Sequence, residues 1–199
     1  MQREVWKPGN MLYPLPAVLV SCGDLQKGYN VLTIAWTGTV CSDPPMVYIS
    51  VRPSRHSYSL IKESGEFVIN LTTSSLVKAT DYCGVVSGRD VDKFAKMGLH
   101  PLAAHMVRAP LIEESPVNIE CKVKQILPLG THHMFLADVC CVDVDSQYMD
   151  ENGKFSLQKA GLITYSHGEY FSLGKNLGKF GYSVRKKRKG GSRHENHIH

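Results

Sequence analysis

Two long alternating runs joined by a tight turn constrain this chain more than any other stretch in it. Val117 to Leu127 reads VNIECKVKQIL, His133 to Val144 reads HMFLADVCCVDV, and Pro128-Leu129-Gly130-Thr131 lies between them. In the first run Val117, Ile119, Cys121 and Val123 alternate with Asn118, Glu120, Lys122 and Lys124. That period of two belongs to a strand with one wet face. Two such runs across a short glycine-containing connection form a β-hairpin. A fold built on it must pair further strands on both sides or leave long edges open.

Shorter apolar runs supply those strands. Ala17 to Cys22, Asn30 to Val40, Met46 to Val51, Phe67 to Leu71 and Leu162 to Tyr165 each read as one. Three helices interrupt them. Ser54, after Pro53, is placed to cap the first, which carries Tyr58, Leu60 and Ile61 and stops at Gly65. Leu76, Ala79, Thr80 and Cys83 share one face of the second, with Gly84 as its stop. Asp90 is placed to cap the third, VDKFAKMG. Residues 98–116 hold three prolines and read as loop and edge structure, and a Gly-rich stretch with Tyr170, Phe171 and Leu173 follows the last strand. Hairpin turns and alternation dominate, and no strand–helix–strand period repeats. The expected architecture is mostly β with peripheral helices, a barrel closed so that its edges are paired. One domain is expected over residues 1–182, ahead of a basic, disordered tail at 183–199.

Charge separates the tail from the body. Residues 182–199 hold six Lys/Arg and one Glu, which accounts for the whole net charge of +5 and leaves residues 1–181 neutral. Without a basic face on the body, or a finger or helix-turn-helix signature, nucleic-acid binding is not expected. No run approaches the roughly 18 apolar residues of a membrane helix, and MQREVWKPGN lacks the apolar region of a signal peptide. The six cysteines, at 22, 41, 83, 121, 140 and 141, form no C-x-x-C pair or zinc spacing and read as reduced thiols. A cytoplasmic protein is therefore expected. Cys41 and Cys83 are the exceptions to watch, since both are expected beside the candidate site.

The strongest chemical signal runs from Arg52 through Ser54, Arg55, His56 and Ser57, at the start of a helix. A phosphate needs fixed cations and donors, arginine supplies a forked set, and a helix N-terminus adds free N–H groups. The same residues would also serve as an ordinary solvated helix start. Trp36-Thr37-Gly38 suits a flat heterocycle lying against the backbone, and equally a core tryptophan beside a bulge glycine. Asp81-Tyr82-Cys83-Gly84 and Ser87-Gly88-Arg89-Asp90 bracket a tight loop of the kind that closes over ligands or simply connects helices. Lys93, one turn further on, would add positive charge at a phosphate. His132-His133 and His167 have no ligand-spaced partner, so no metal site is expected; His194, His197 and His199 would bind nickel or zinc weakly. Neither a P-loop, a G-x-G-x-x-G nor a G-x-S-x-G is present. No protein nucleophile stands out, and a cofactor that brings its own chemistry fits better.

The segments NVLTIAWTGTVCSDPPMVYISVRPSRHSYSLI at 30–61, FVINL at 67–71 and DYCGVVSGRDVDKF at 81–94 resemble the flavin reductase-like, FMN-binding split-barrel family. The last of them is closer to its flavoredoxin branch than to the two-component monooxygenase reductases, and the resemblance runs from about Tyr13 to Tyr182. It implies a homodimer of Greek-key split barrels with one FMN per subunit near the interface. By that likeness Trp36, Thr37 and Gly38 would lie along the isoalloxazine ring, and Ser50, Val51 and Arg52 along the ring and ribityl chain. Ser54, Arg55, His56 and Ser57 would hold the phosphate, and Asn70, Asp81, Tyr82, Cys83 and Lys93 would close the pocket. The implied activity is hydride or electron transfer from NAD(P)H through FMN to a small-molecule acceptor or redox partner, with no catalytic protein residue because N5 of the flavin accepts the hydride. A flavoredoxin-type electron carrier without nicotinamide turnover is the alternative. A partner- or nucleic-acid-binding protein working through the basic tail is a third, and that tail lies outside the family pattern.

Overall fold

The computed structural model describes residues 1–185, so the basic run from Lys186 onward, and the disorder expected of it, lie outside the described residues. The strands are β1 (Leu15–Pro16), β2 (Val18–Asp24), β3 (Gly28–Ile34), β4 (Thr37–Ser42), β5 (Pro45–Val51), β6 (Glu66–Leu71), β7 (Pro101–Leu102), β8 (Leu111–Ile112), β9 (Val117–Pro128), β10 (His133–Val144), β11 (Ile163–Ser166) and β12 (Glu169–Ser172). The helices are α1 (His56–Ser64), α2 (Val77–Val85) and α3 (Lys93–Met97). No helix among the described residues is long and apolar enough to cross a membrane.

Seven strands form one sheet in the order β3-β2-β6-β9-β10-β5-β4, every neighbouring pair antiparallel. Its two ends, β3 and β4, are consecutive in the chain, so the sheet must roll up for Ala35 and Trp36 alone to bridge them. That seam is the split of the barrel, and beside it the Ser50 N–H donates to the Trp36 carbonyl at 2.9 Å, continuing the β4–β5 ladder by one residue. Unpaired extra residues at Lys124 in β9 and Cys140 in β10 bend the long hairpin around the barrel. The rolled sheet encloses one apolar core, in which Val20, Ile49, Phe67 and Phe135 are fully buried and Leu60 and Ile61 of α1 plug one end. A second cluster packs outside it, where Leu76 just before α2, Ala79 and Cys83 of α2 and Phe94 of α3 meet Leu19 and Val31. This is the mostly-β barrel with peripheral helices expected from the sequence.

Four local expectations are corrected. The single strand over Asn30–Val40 is broken at Ala35–Trp36, because those residues carry the chain from one end of the sheet to the other. Gly84 does not end α2, which runs through Val85. A Cβ there would come within 3.3 Å of Thr33 Cβ, so the glycine serves close helix–sheet approach. Asp92, not Asp90, caps α3, accepting from the Ala95 N–H at 3.1 Å. The stretch after the last expected strand is itself a strand, β12, and joins β11 and β1 in a three-stranded sheet.

Candidate functional site

The seam of the barrel opens into two adjoining cavities that share Leu32, Thr33, Arg52 and Arg55. The first encloses about 200 Å³ and is aromatic. Trp36 and His132 stack there with ring centroids 6.4 Å apart and planes 11° apart, and Tyr165 and Tyr170 continue the wall. The Tyr170 hydroxyl donates to Asp81 at 3.4 Å; burial, then the Asp81 charge, push its pKa up to about 12. Burial, then the Arg52 charge, hold the His132 imidazole below its ordinary value, which favours the neutral ring.

The second cavity, about 280 Å³, is built for an anion. Arg52, Arg55, Arg89 and Lys93 line it together with His56, and no carboxylate does. None of these residues forms an ion pair with a carboxylate among the described residues. Lys93 is buried, its Nζ donating to the Cys83 carbonyl at 2.9 Å, and desolvation draws its pKa below the usual lysine range. Buried charge without an opposite partner is costly and calls for one. The start of α1 faces the same cavity. Its N-cap is Arg55, not the expected Ser54, and no side chain caps it, so the first N–H groups of a nine-residue helix lack the usual acceptor.

Two close approaches close the back wall. The Thr33 hydroxyl donates to the Thr80 carbonyl where Gly84 lies against β3. The Ser87-Gly88-Arg89 loop passes so near Asn30 that a Cβ on Gly88 would overlap its Oδ1. Asn30 in turn donates to the Ser57 hydroxyl at 2.6 Å, tying the loop, β3 and α1 into one cradle. An aromatic slot that continues into an uncompensated cationic pocket fits a flat heterocycle carrying a phosphate.

Of the residues singled out in the sequence, Trp36, Ser50, Val51, Arg52, Ser54, Arg55, His56, Ser57, Cys83 and Lys93 line these cavities. Five do not. The Thr37 hydroxyl donates to the Tyr48 carbonyl at 2.6 Å, and Gly38 packs against the Tyr48 ring. Asn70 is a core group: it donates to the Leu19 carbonyl and Ser21 hydroxyl, and accepts from the Ile112 N–H and Asn118. Asp81 is exposed beside Tyr170, and Tyr82 lies on α2 outside both cavities. Cys41 sits near the end of β4 and lines neither, while burial pushes the Cys83 thiol up to about 11, so it stays protonated. Sequence reasoning missed Asn30, Leu32 and Thr33, whose strand gave no chemical signal, and the aromatic wall of His132, Tyr165 and Tyr170, which only the closure of the sheet assembles.

A family model described as the flavin reductase like domain matches residues 11–174. An uncharacterised protein of Archaeoglobus fulgidus is 32% identical over 86% of this chain and 95% of its own length. The uncharacterised protein YddH of Escherichia coli is 34% identical over 87% of this chain and 95% of its own. Among solved structures, the flavoredoxin of Desulfovibrio vulgaris (Miyazaki F) superposes with a TM-score of 0.85 at 30% identity, covering 92% of this chain and all of that one. The flavoredoxin from Methanosarcina acetivorans gives 0.82 at 29% identity, with coverage of 92% and 100%. A match over most of the chain, on a barrel split where the cleft lies, means that this protein belongs to the flavin reductase-like domain family.

Proposed function

We propose that the two-part cleft binds FMN and that the protein passes hydride or electrons from NAD(P)H through it to an acceptor. The observation that carries this reading is the cationic cavity: four cations and an uncapped helix start, with no carboxylate among them, directly continuous with an aromatic slot. Arg52, Arg55, Lys93 and the first N–H groups of α1 would hold the phosphate, and Trp36, Val51 and Leu32 would border the ring. When bound, the flavin supplies the redox chemistry. The chain's own part is to bind, orient and partly desolvate, because no proton relay is needed at the hydride-accepting atom. The purified protein should be yellow and should oxidise NADH or NADPH in the presence of an acceptor; a protein that does not bind added FMN refutes the reading.

The likeness to two flavoredoxins favours a second reading, an electron carrier that shares the pocket but does not turn over nicotinamide. Anaerobic stopped-flow mixing with NADH and NADPH separates them, since failure of bound flavin to bleach marks the carrier. We further propose a homodimer. An apolar recess lined by Met11, Leu12, Leu129 and Met134 adjoins Trp36 and Ser50, and the first three of these side chains are largely exposed in the single chain. A second copy covering it would complete the mouth of the cleft, and sedimentation at micromolar concentration should give the dimer mass. Six free cysteines suit a reducing cytoplasmic setting.

A further inference from the structure

The cleft leaves unexplained a polar cluster on the sheet face turned away from the barrel core. Glu120 of β9 pairs directly with Cys141 of β10, across the point where Cys140 bulges out of register. A Glu120 carboxylate oxygen, the Cys141 sulfur and an Asp143 carboxylate oxygen all lie within 4.8 Å of one another. His105, from the segment that crosses over them, brings Nε2 to 3.2 Å from Asp143 Oδ1. The other oxygen of Asp143, Oδ2, is buried and has no hydrogen-bond partner among the described residues. Such an orphan needs a proton or a cation.

We propose that Glu120, Cys141 and Asp143, with the exposed His105 closing onto them from beside Asp143, form a structural site for a borderline-soft divalent cation of the zinc class. The donor set is one nitrogen, one sulfur and two carboxylates, which suits zinc-like ions and excludes calcium or magnesium sites, built from oxygen alone. At zinc–ligand distances of about 2.0–2.1 Å, tetrahedral nitrogen and oxygen donors stand about 3.3 Å apart, close to the His105–Asp143 separation. Glu120 is fully buried, and three backbone N–H groups fix it: His105 at 2.9 Å, Met106 at 2.6 Å and Val107 at 3.0 Å. Outer donors of this kind orient ligating carboxylates. The His105 side chain is 71% exposed, so an ion can enter from solvent. On binding, the Cys141 thiol proton leaves to water and a metal–thiolate bond forms. None of the four residues lines the cleft, so the ion would clamp the 105–107 segment to the sheet and take no part in redox chemistry.

Anaerobic titration of the full chain with Co²⁺ tests this by difference spectra taken at constant flavin content. One equivalent should produce thiolate-to-cobalt charge-transfer absorption, which histidines of the C-terminal tail cannot give. Cys141→Ser should abolish the band, Cys140→Ser should keep it, and His105→Ala should weaken cobalt affinity by about tenfold or more. Should Cys141→Ser fail to fold, Asp143→Asn and the exposed His105→Ala decide: lower cobalt affinity supports the site, and wild-type affinity overturns it. No band in the wild-type protein, or a band undiminished in Cys141→Ser, also overturns it. Because flavin content is read in the same spectra, loss of the metal site is distinguishable from loss of the cleft.

Discussion

Lys93 Nζ donates to the carbonyl oxygen of Cys83 at 2.9 Å, and this carbonyl is its one hydrogen-bond acceptor among the described residues. The backbone oxygen positions the ammonium but does not neutralise it. Neighbouring Arg55 adds like charge and contributes to the lowered lysine pKa. An anion in the cavity relieves both penalties.

In the ligand-free protein Lys93 should therefore contribute a stability that grows as pH rises toward the ordinary lysine range, opposite in sign to the contributions of Cys83 and Tyr170. Lys93 in the fold loses its proton before the unfolded chain does, so in that window the unfolded state binds more protons. Lys93→Met should remove this contribution, so that the wild type gains on the variant as pH rises, and should weaken FMN binding without destabilising the apoprotein. Melting curves across alkaline pH for both proteins check it, and matching slopes would count against an uncompensated ammonium.

Replacing Arg55 and His56 together by Ala should raise the FMN dissociation constant about tenfold to a hundredfold for each charge-assisted bond to the phosphate that is removed, since such a bond contributes about 1.5–3 kcal/mol. Riboflavin, which lacks the phosphate, should bind the variant and the wild type equally. A parallel weakening for both ligands would place the phosphate elsewhere.

Gly88→Ala forces a methyl into Asn30 Oδ1 and disrupts the Asn30–Ser57 bond, so FMN affinity and thermal stability should both fall, the latter by about 1–3 kcal/mol. Gly84→Ala meets only a tight 3.3 Å contact with Thr33 and gains about 1 kcal/mol of helix propensity. It should be near neutral. Paired calorimetry and flavin titration of the two variants check the contrast.

Asn70→Ala should lower stability by about 1–3 kcal/mol for each buried partner left unpaired, while the folded fraction keeps wild-type flavin affinity. A selective loss of flavin binding at unchanged stability would restore Asn70 to the site.

Much of this was legible in the chain because local chemistry and fold coincide. The β9–β10 hairpin is written in alternation and a glycine turn, and the Arg52–Ser57 cluster sits at a real helix start. Thr37, Gly38 and Asn70 were less legible: family likeness put them at the cleft, but in the closed sheet Thr37 and Gly38 face Tyr48 and Asn70 turns into the core. His132 and Tyr170 lie about a hundred residues or more beyond Trp36 in sequence and meet its cavity only when the sheet rolls. Glu120 and Cys141 carry no metal spacing, since cross-strand register, not sequence distance, brings them together.

The most direct test of the cleft as a flavin site is the visible spectrum of the purified protein, followed by anaerobic titration with FMN. One FMN per chain, bound with the absorption of a protein-held flavin and displaced from the Arg55→Ala/His56→Ala variant, is the expected result. A colourless protein whose spectrum shows no binding of added FMN would contradict it.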